Sequence, residues 1–176
     1  MKKIYAAART KEEFSKAIKS SVNTVFLLNS DILTLKASID EAHKAGKKIF
    51  IYFDFVEGLG KDRSGMRFIK LLEPDGIISV RSNIIKLARE CGIVSIQRFF
   101  VVDSRAVDTA VEMIESAKPD MIELMPGIAY KAIKEFSGRV KVPVIAGGLI
   151  SDADEAKKAV EAGAVAVSTG AAELWG

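Results

Sequence analysis

Two neighbouring segments decide the fold: VPVIAGGLI at residues 142–150 and, one short helix later, AGAVAVSTG at residues 162–170. Each is an apolar run that ends in small residues at the point where a helix would begin. Backbone N–H groups at such a point are exposed and positively polarised, and small residues leave them open to a ligand. Two such ends on adjacent parallel strands would form a cup for one phosphate, as at the last two strands of a (β/α)8 barrel. The residues predicted to form this cup are Gly147, Gly148, Ser168, Thr169 and Gly170.

Apolar runs rich in β-branched residues alternate with segments of helical periodicity along the whole chain, which predicts an α/β fold of parallel strands joined by helices. Eight strands are predicted, at residues 4–8, 24–28, 48–53, 76–80, 94–99, 121–124, 142–146 and 164–168. Helices are predicted at residues 11–20, 33–45, 65–71, 82–91, 104–117, 129–136 and 153–161, with a truncated last helix at 171–175. The even spacing favours one domain over residues 1–176, a compact TIM-like (β/α)8 barrel with short loops. An open doubly wound sheet remains the alternative, because about 250 residues are typical of the barrel.

Local signals place the ends of several helices. Thr10 followed by Glu13, and Ser151 followed by Asp154, resemble capping boxes. Four glycines stand where a left-handed residue would end a helix: Gly46, Gly92, Gly138 and Gly163. The one long irregular piece is predicted at residues 55–64, and a loop of that length in a compact domain is often functional.

Composition limits the cellular context and the chemistry. The chain has 26 basic and 23 acidic residues and a formal net charge of +3, a balance that neither requires nor excludes nucleic acid. No apolar run approaches the ~20 residues of a membrane span, and the N-terminal apolar stretch is too short for a signal peptide. Cys91 is the single cysteine and His43 the single histidine, so neither an intrachain disulfide nor a zinc site is expected. These features predict a cytoplasmic protein without a bound metal or cofactor.

Polar side chains occur at the ends of four predicted strands, where an unpaired buried charge would be costly. In a barrel these ends face the ligand. Alternation of side chains predicts that Arg81, Gln97 and Glu123 lie at the mouth together with Asp54. Arg98 is expected to point toward the outer helices or to reach the rim from the strand end, and Arg9 is a further candidate for the rim. The alternative is a ring of salt bridges that closes the barrel end, with Arg81 paired to Asp54 or Glu123.

Several of these segments together resemble a known family. They are YFDFVEGL at 52–59, GIISVRS at 76–82, IQRFF at 96–100, ELMPG at 123–127, AGGLI at 146–150 and LW at 174–175. The chain resembles, over nearly its whole length, the glycerol-3-phosphate-responsive antiterminators of bacterial glycerol-uptake operons. The glycine pairs are common to many phosphate-binding barrels, whereas IQRF and ELMPG are much more particular.

The resemblance implies a non-catalytic cytoplasmic regulator with glycerol 3-phosphate as its regulatory ligand. Such a protein would bind the leader of a nascent messenger RNA so that transcription passes a terminator. RNA binding follows from the resemblance alone, whereas ligand binding is also supported by the strand ends. Association into a homo-oligomer is a further expectation.

Two other functions stay open at this point. A small barrel enzyme could act on a phosphorylated polyol or sugar, with Asp54, Glu57 or Glu123 as general base or as oxygen ligands for magnesium. No predicted strand ends in the lysine that a Schiff base needs, and there is no second histidine. The third possibility is a partner-binding barrel whose phosphate site is vestigial.

Overall fold

The structure, a computed structural model, describes residues 3–176. Eight parallel strands form a closed barrel in which each strand pairs with its neighbours in the sequence and the last pairs with the first. The strands are β1 (Lys3–Ala8), β2 (Thr24–Leu27), β3 (Lys48–Tyr52), β4 (Gly76–Ser79), β5 (Ser95–Phe100), β6 (Met121–Met125), β7 (Val144–Gly147) and β8 (Ala166–Thr169). The predicted (β/α)8 barrel is confirmed, and the alternative of an open sheet is wrong.

Seven helices connect the strands on the outside of the barrel. They are α1 (Lys11–Lys19), α2 (Leu35–Lys44), α3 (Arg63–Leu72), α4 (Ser82–Glu90), α5 (Ser104–Ala117), α6 (Tyr130–Arg139) and α7 (Ala153–Glu161). After β8 only a short 3-10 turn, Ala172–Leu174, takes the place of an eighth helix. Within residues 3–176, no helix has the length and apolar character needed to cross a membrane.

The interior of the barrel is filled by side chains over most of its height. Phe26, Phe50, Ile78, Ile96 and Ile145 belong to one buried apolar cluster in the lumen. The ring centroids of Phe26 and Phe50 lie 5.7 Å apart in an edge-to-face arrangement, which is a favourable geometry for two aromatic rings. A ligand site in the lumen is therefore confined to an end of the barrel.

The helix ends agree with the predicted signals in most cases. Thr10 accepts a hydrogen bond from the Glu13 amide (3.1 Å), which is one half of the predicted box, whereas the Glu13 carboxylate accepts from the amide of Arg9 (2.5 Å) rather than from that of Thr10. For α7 the predicted box is wrong by one residue, because Asp152 is the cap and accepts from the Glu155 amide at 2.9 Å.

Three of the four predicted helix-ending glycines have a positive φ: Gly46, Gly92 and Gly163. The prediction for Gly138 is wrong, because α6 continues through it to Arg139.

The segment predicted as irregular contains regular structure. Phe53–Phe55 forms a 3-10 turn, and the next two residues, Val56–Glu57, pair in parallel with Ser30–Asp31. α3 begins at Arg63, where Asp62 accepts from the amide of Gly65 at 2.9 Å. The two-residue ribbon is too short for a side-chain pattern to reveal it in the sequence.

Trp175 closes the side of the barrel where the eighth helix is missing. Its side chain is buried within this chain, and its indole N–H donates to the carbonyl of Thr169 at 3.0 Å. The Ser21 amide and hydroxyl both donate to the Trp175 carbonyl. Because Thr169 is the last residue of β8, Trp175 also fixes the strand end that leads into the predicted phosphate cup.

Candidate functional site

A cavity of about 480 Å³ opens at the carboxyl ends of the barrel strands. This volume lies within the range of small-molecule sites. Its inner part is formed by side chains from β3, β5, β6 and β8, namely Tyr52, Arg98, Glu123 and Ser168. Its rim is formed by Arg9, Asn29, Phe55, Met125, the segment 148–151 after β7 and the segment 169–171 after β8.

The segment after β7 lies on the wall of this cavity and has backbone N–H groups without a protein acceptor among the described residues. Gly148 and Leu149 have φ values of +77° and +60°. Leu149 carries a side chain in this left-handed region, which costs about 1 kcal/mol or more and occurs often at functional sites. In the described part of the chain, the amides of Gly148 and Leu149 donate to no protein acceptor. Successive free amides on a turn form a concave site for an anion.

The loop after β6 holds the carbonyl groups of the segment after β7. The Gly127 amide donates to the carbonyls of both Gly147 (2.6 Å) and Gly148 (2.9 Å). These two carbonyl oxygens are therefore held by the β6–α6 loop. With the carbonyls fixed there, the N–H groups that follow are left for the cavity.

The segment after β8 completes the cup. Gly170 lies on the cavity wall, and within residues 3–176 its amide has no acceptor. A side chain at this position would lie 2.8 Å from an Arg9 guanidinium nitrogen. Arg9 forms no salt bridge with the described residues, so its charge is available beside the free amides. The predicted cup thus gains a cation from the end of β1.

Below the cup lies a buried ion pair between Arg98 of β5 and Glu123 of β6. The Arg98 Nε lies 2.6 Å from a Glu123 oxygen, and the two side chains are 7% and 1% exposed. The Ser168 hydroxyl donates to the second Glu123 oxygen. The Arg98 guanidinium also stacks on Tyr52, with its central carbon 4.4 Å from the ring centroid. Arg98 is thus fixed by a charge on one side and an aromatic face on the other.

This pair requires a residue without a side chain at position 147. A Cβ on Gly147 would collide with the Glu123 carboxylate and would lie 2.6 Å from the Ser168 hydroxyl. The glycine pair after β7 therefore has two separate roles. Gly147 makes room for Glu123, and Gly148 supplies an amide in a left-handed conformation.

Burial and charge affect the titrating groups of this region. Burial raises the pKa of the Tyr52 phenol above its usual value, and the positive charge of Arg98 partly opposes this shift. Burial lowers the pKa of Lys61, whose ammonium donates to the carbonyls of Phe53 (2.6 Å) and Val56 (2.9 Å). Asp54 opposes the shift of Lys61. Lys61 thereby holds the turn that carries Asp54 and Phe55.

The predicted direction of Gln97 is wrong, and of the two directions expected for Arg98 the one toward the outer helices is wrong. Gln97 faces outward, where its amide nitrogen donates to the Ser82 hydroxyl at the start of α4 (2.9 Å), and Arg98 faces the lumen. The rule that the more polar set of side chains faces inward failed because both sets of β5 are polar. What decides the direction is Glu123, which lies beside Arg98 in the strand register.

Asp54 and Arg81 lie at the same end of the barrel but do not line the cavity. Asp54 accepts from the Ser79 hydroxyl (2.8 Å) and the Val80 amide (3.0 Å), and it pairs with Arg81 at 3.3 Å. The expected pairing of Arg81 with Asp54 is found, whereas Glu123 pairs with Arg98 instead. The strand ends thus hold two separate ion pairs rather than one ring.

The remaining predicted residues divide between binding groups and supports. Gly148 and Gly170 present free amides, and Ser168 orients Glu123. The Thr169 hydroxyl donates to the Ile150 carbonyl (2.6 Å) and accepts from the Ala171 amide (3.0 Å), so it ties the two loops of the cup together. The sequence reasoning missed the roles of Tyr52 and Leu149, and no local pattern signals a leucine with a positive φ.

The side chains in the cavity narrow the chemistry of the site. None of the residues that line the cavity is a lysine, and residues 3–176 contain no group of three or more potential metal ligands. The one carboxylate of the wall, Glu123, already has a cationic partner. The arrangement can bind an anion through amides and Arg9, and hydroxyl groups through Glu123 and Arg98.

Comparison with known proteins identifies the family of the chain. Residues 4–175 match the family model described as glycerol-3-phosphate responsive antiterminator. The chain belongs to this family. Two solved structures and one further relative support the membership.

A glycerol uptake operon antiterminator regulatory protein from Listeria monocytogenes is 35% identical, with a TM-score of 0.93 over 98% of this chain and 94% of that one. A glycerol uptake operon antiterminator-related protein from Thermotoga maritima is 34% identical, with a TM-score of 0.87 over 99% of each chain. The Escherichia coli protein YgcP, described as uncharacterised, is 34% identical over 98% of this chain and 91% of its own length.

The first prediction concerns the close approach at Gly147. Gly147→Ala should lower the free energy of unfolding by about 1–3 kcal/mol, because the added methyl group forces Glu123 and Ser168 apart. The matched control is Gly138→Ala in α6, where a Cβ meets no atom within 4 Å. The free energy of unfolding of that variant should rise by about 0.5–1 kcal/mol. Urea unfolding measures both, and equal effects of the two substitutions would contradict the crowding at Gly147.

The second prediction concerns the buried ion pair. Arg98→Met leaves the Glu123 carboxylate buried without a countercharge and should cost about 3–5 kcal/mol of unfolding free energy. Adding Glu123→Gln removes that charge, so the double variant should be more stable than Arg98→Met alone. Urea unfolding of the wild type, the two single variants and the double variant tests this coupling. Simple addition of the two single effects would show that the groups do not interact.

Proposed function

We propose that this chain is a regulator that binds glycerol 3-phosphate in the cavity and then acts on the leader of a nascent glycerol-uptake messenger RNA. The observation that carries the proposal is the set of free amides at Gly148, Leu149 and Gly170 beside Arg9. A cavity with an anion-binding rim and a polar inner wall suits a small molecule with a phosphate at one end and hydroxyls at the other. Membership of the antiterminator family supports the same ligand.

The phosphate end of the ligand is assigned to the cup. Free amides supply hydrogen-bond donors in fixed positions, and the guanidinium of Arg9 supplies a full charge with matching fork geometry. A hydrogen bond to a charged group contributes about 1.5–3 kcal/mol. Three amides and one guanidinium therefore contribute about 6–12 kcal/mol in all, which reaches the roughly 8 kcal/mol of micromolar binding only together with contacts to the hydroxyl end, because association itself costs about 4 kcal/mol or more.

The hydroxyl end is assigned to Glu123 and Arg98. A carboxylate has about four lone-pair sites, and Glu123 uses only two of them, for Arg98 and for Ser168. It can accept from ligand hydroxyls as well. Only the Nε of Arg98 donates to a side chain of the described residues, so the terminal nitrogens remain to donate to ligand oxygens.

Binding without chemical change follows from the state of these groups. A general base needs a carboxylate that can accept and release a proton near neutral pH. In this site the Glu123 carboxylate is held between the Arg98 guanidinium, at 2.6 Å, and the Ser168 hydroxyl. A Schiff base needs a lysine, and the wall of the cavity provides none. The ligand is therefore sensed and released unchanged, in the cytoplasm where the messenger is made.

The regulatory step is a shift between two arrangements of the loops at the cavity mouth. The ligand stabilises the arrangement in which the loops after β7 and β8 close on the phosphate. If RNA binds the closed arrangement more tightly than the open one, the fraction of RNA that is bound rises with the ligand concentration. A difference in RNA affinity between the free and ligand-bound protein is thus required by the proposal.

The third prediction is a calorimetric titration with glycerol 3-phosphate. It should bind in the micromolar range without added metal and be recovered unchanged. Arg9→Ala should weaken binding about 10- to 100-fold, because one charge-assisted contact to phosphate is lost. Lys11→Ala is the matched control, since it removes an exposed cation two residues away that does not line the cavity. Arg81→Ala should also leave ligand binding intact.

The outcomes of this titration separate the alternatives. Turnover of the ligand would favour a barrel enzyme. If no phosphorylated polyol gives a heat of binding, a partner-binding barrel with a vestigial phosphate site is favoured. Weakening by Arg81→Ala but not by Arg9→Ala would place the ligand at the Asp54 ion pair instead of the cup.

A further inference from the structure

Two phenylalanine side chains stand exposed at the end of the barrel that carries the cavity. Phe55, in the turn after β3, and Phe100, the last residue of β5, are each 58% exposed. Phe55 lies on the cavity rim, and Phe100 lies beside the rim residue Met125 in the strand register. Large apolar side chains exposed at the edge of a site mark a surface that is covered by a partner.

Phe55 is connected to the ligand cavity by direct contacts. Its ring lies 4.9 Å from the ring of Tyr52, and Tyr52 in turn stacks on Arg98. Arg98 pairs with Glu123 at the base of the cavity. A ligand that repositions Arg98 therefore acts on the aromatic pair that ends at the exposed face of Phe55.

One cation stands beside Phe55 on the outer surface. The half-exposed Arg81 is paired with Asp54, the residue before Phe55. The ammonium of Lys61 is part-buried and donates to the carbonyls of Phe53 and Val56, so it supports the turn from within.

Four carboxylates of this end accept from local donors, whereas the carboxylate of the exposed Glu57 accepts from none of the described residues. Besides Asp54, three aspartates accept from the backbone amides of helix first turns: Asp62, Asp103 and Asp152. Exposed aromatic rings beside the half-exposed guanidinium of Arg81 suit a polyanion whose bases can stack.

We infer that Phe55 and Phe100 form a stacking platform for unpaired bases of RNA, with Arg81 contacting the sugar-phosphate backbone. Sequence-specific RNA recognition is directed mainly at single-stranded segments whose bases stack on aromatic side chains. Stacking accepts any base, because each base has a π face. This inference rests on the proposed function, and it adds the residues through which RNA is bound and the route by which ligand affects them.

The fourth prediction compares aromatic with apolar side chains on the platform. Phe55→Leu and Phe100→Leu keep an apolar group but remove the π face. Each should weaken binding of a labelled glycerol-operon leader transcript about fivefold or more, whereas Phe55→Tyr should retain it. Because Phe55 also lines the cavity, the glycerol 3-phosphate affinity of each variant is measured first and RNA binding is compared at saturating ligand. The matched control is Phe68→Leu on α3, a phenylalanine that is 37% exposed and remote from the cavity wall.

The results separate this inference from the proposed function. If the wild-type protein binds no transcript at saturating ligand, the regulator itself is overturned. If the wild type binds but both leucine variants bind equally tightly, only the platform is overturned. If the leucine variants instead change the sedimentation of the protein and leave RNA affinity unaltered, the surface joins two copies of the chain and the platform is likewise overturned.

Discussion

The ion pair between Arg98 and Glu123 is the contact on which the candidate site depends. Two buried charges are tolerated only when each has a partner and the remaining hydrogen-bonding groups are satisfied. Here Arg98 has Glu123 and the face of Tyr52, and Glu123 also has the Ser168 hydroxyl. The pair in turn requires that position 147 carry no side chain, so that the end of β7 passes directly over the carboxylate. The same glycine-rich strand end then continues into the free amides of the cup.

The barrel and the cup could be predicted because each depends on local patterns. Strand and helix periodicity, small residues after β7 and β8, and the helix cap at Thr10 are all readable in the sequence. The lumen-facing pair could not be predicted, since both faces of β5 carry polar side chains and only the register with β6 brings Glu123 beside Arg98. Likewise, Asp54 and Arg81 were expected at the cavity, but Ser79 and Val80 hold Asp54 at the outer side of the mouth.

The fold separates recognition into parts with different physical roles. In the proposed function, backbone amides and Arg9 bind the dianion, the buried pair binds the hydroxyls, and Phe55 carries the state of the cavity to the outer surface. Trp175 supports this arrangement from the far end of the chain, because it bonds the carbonyl at the end of β8 in place of an eighth helix. The cavity wall carries no lysine, and its one carboxylate is already paired.

The most direct measurement of the central claim is an NMR titration of the uniformly ¹⁵N-labelled protein with glycerol 3-phosphate. The account predicts that the amide signals of Gly148, Leu149 and Gly170 shift together, with one common dissociation constant, while the amide of Phe68 on the outer helix stays in place. Unchanged signals at those three amides, with the main shifts at Asp54 and Arg81, would contradict it.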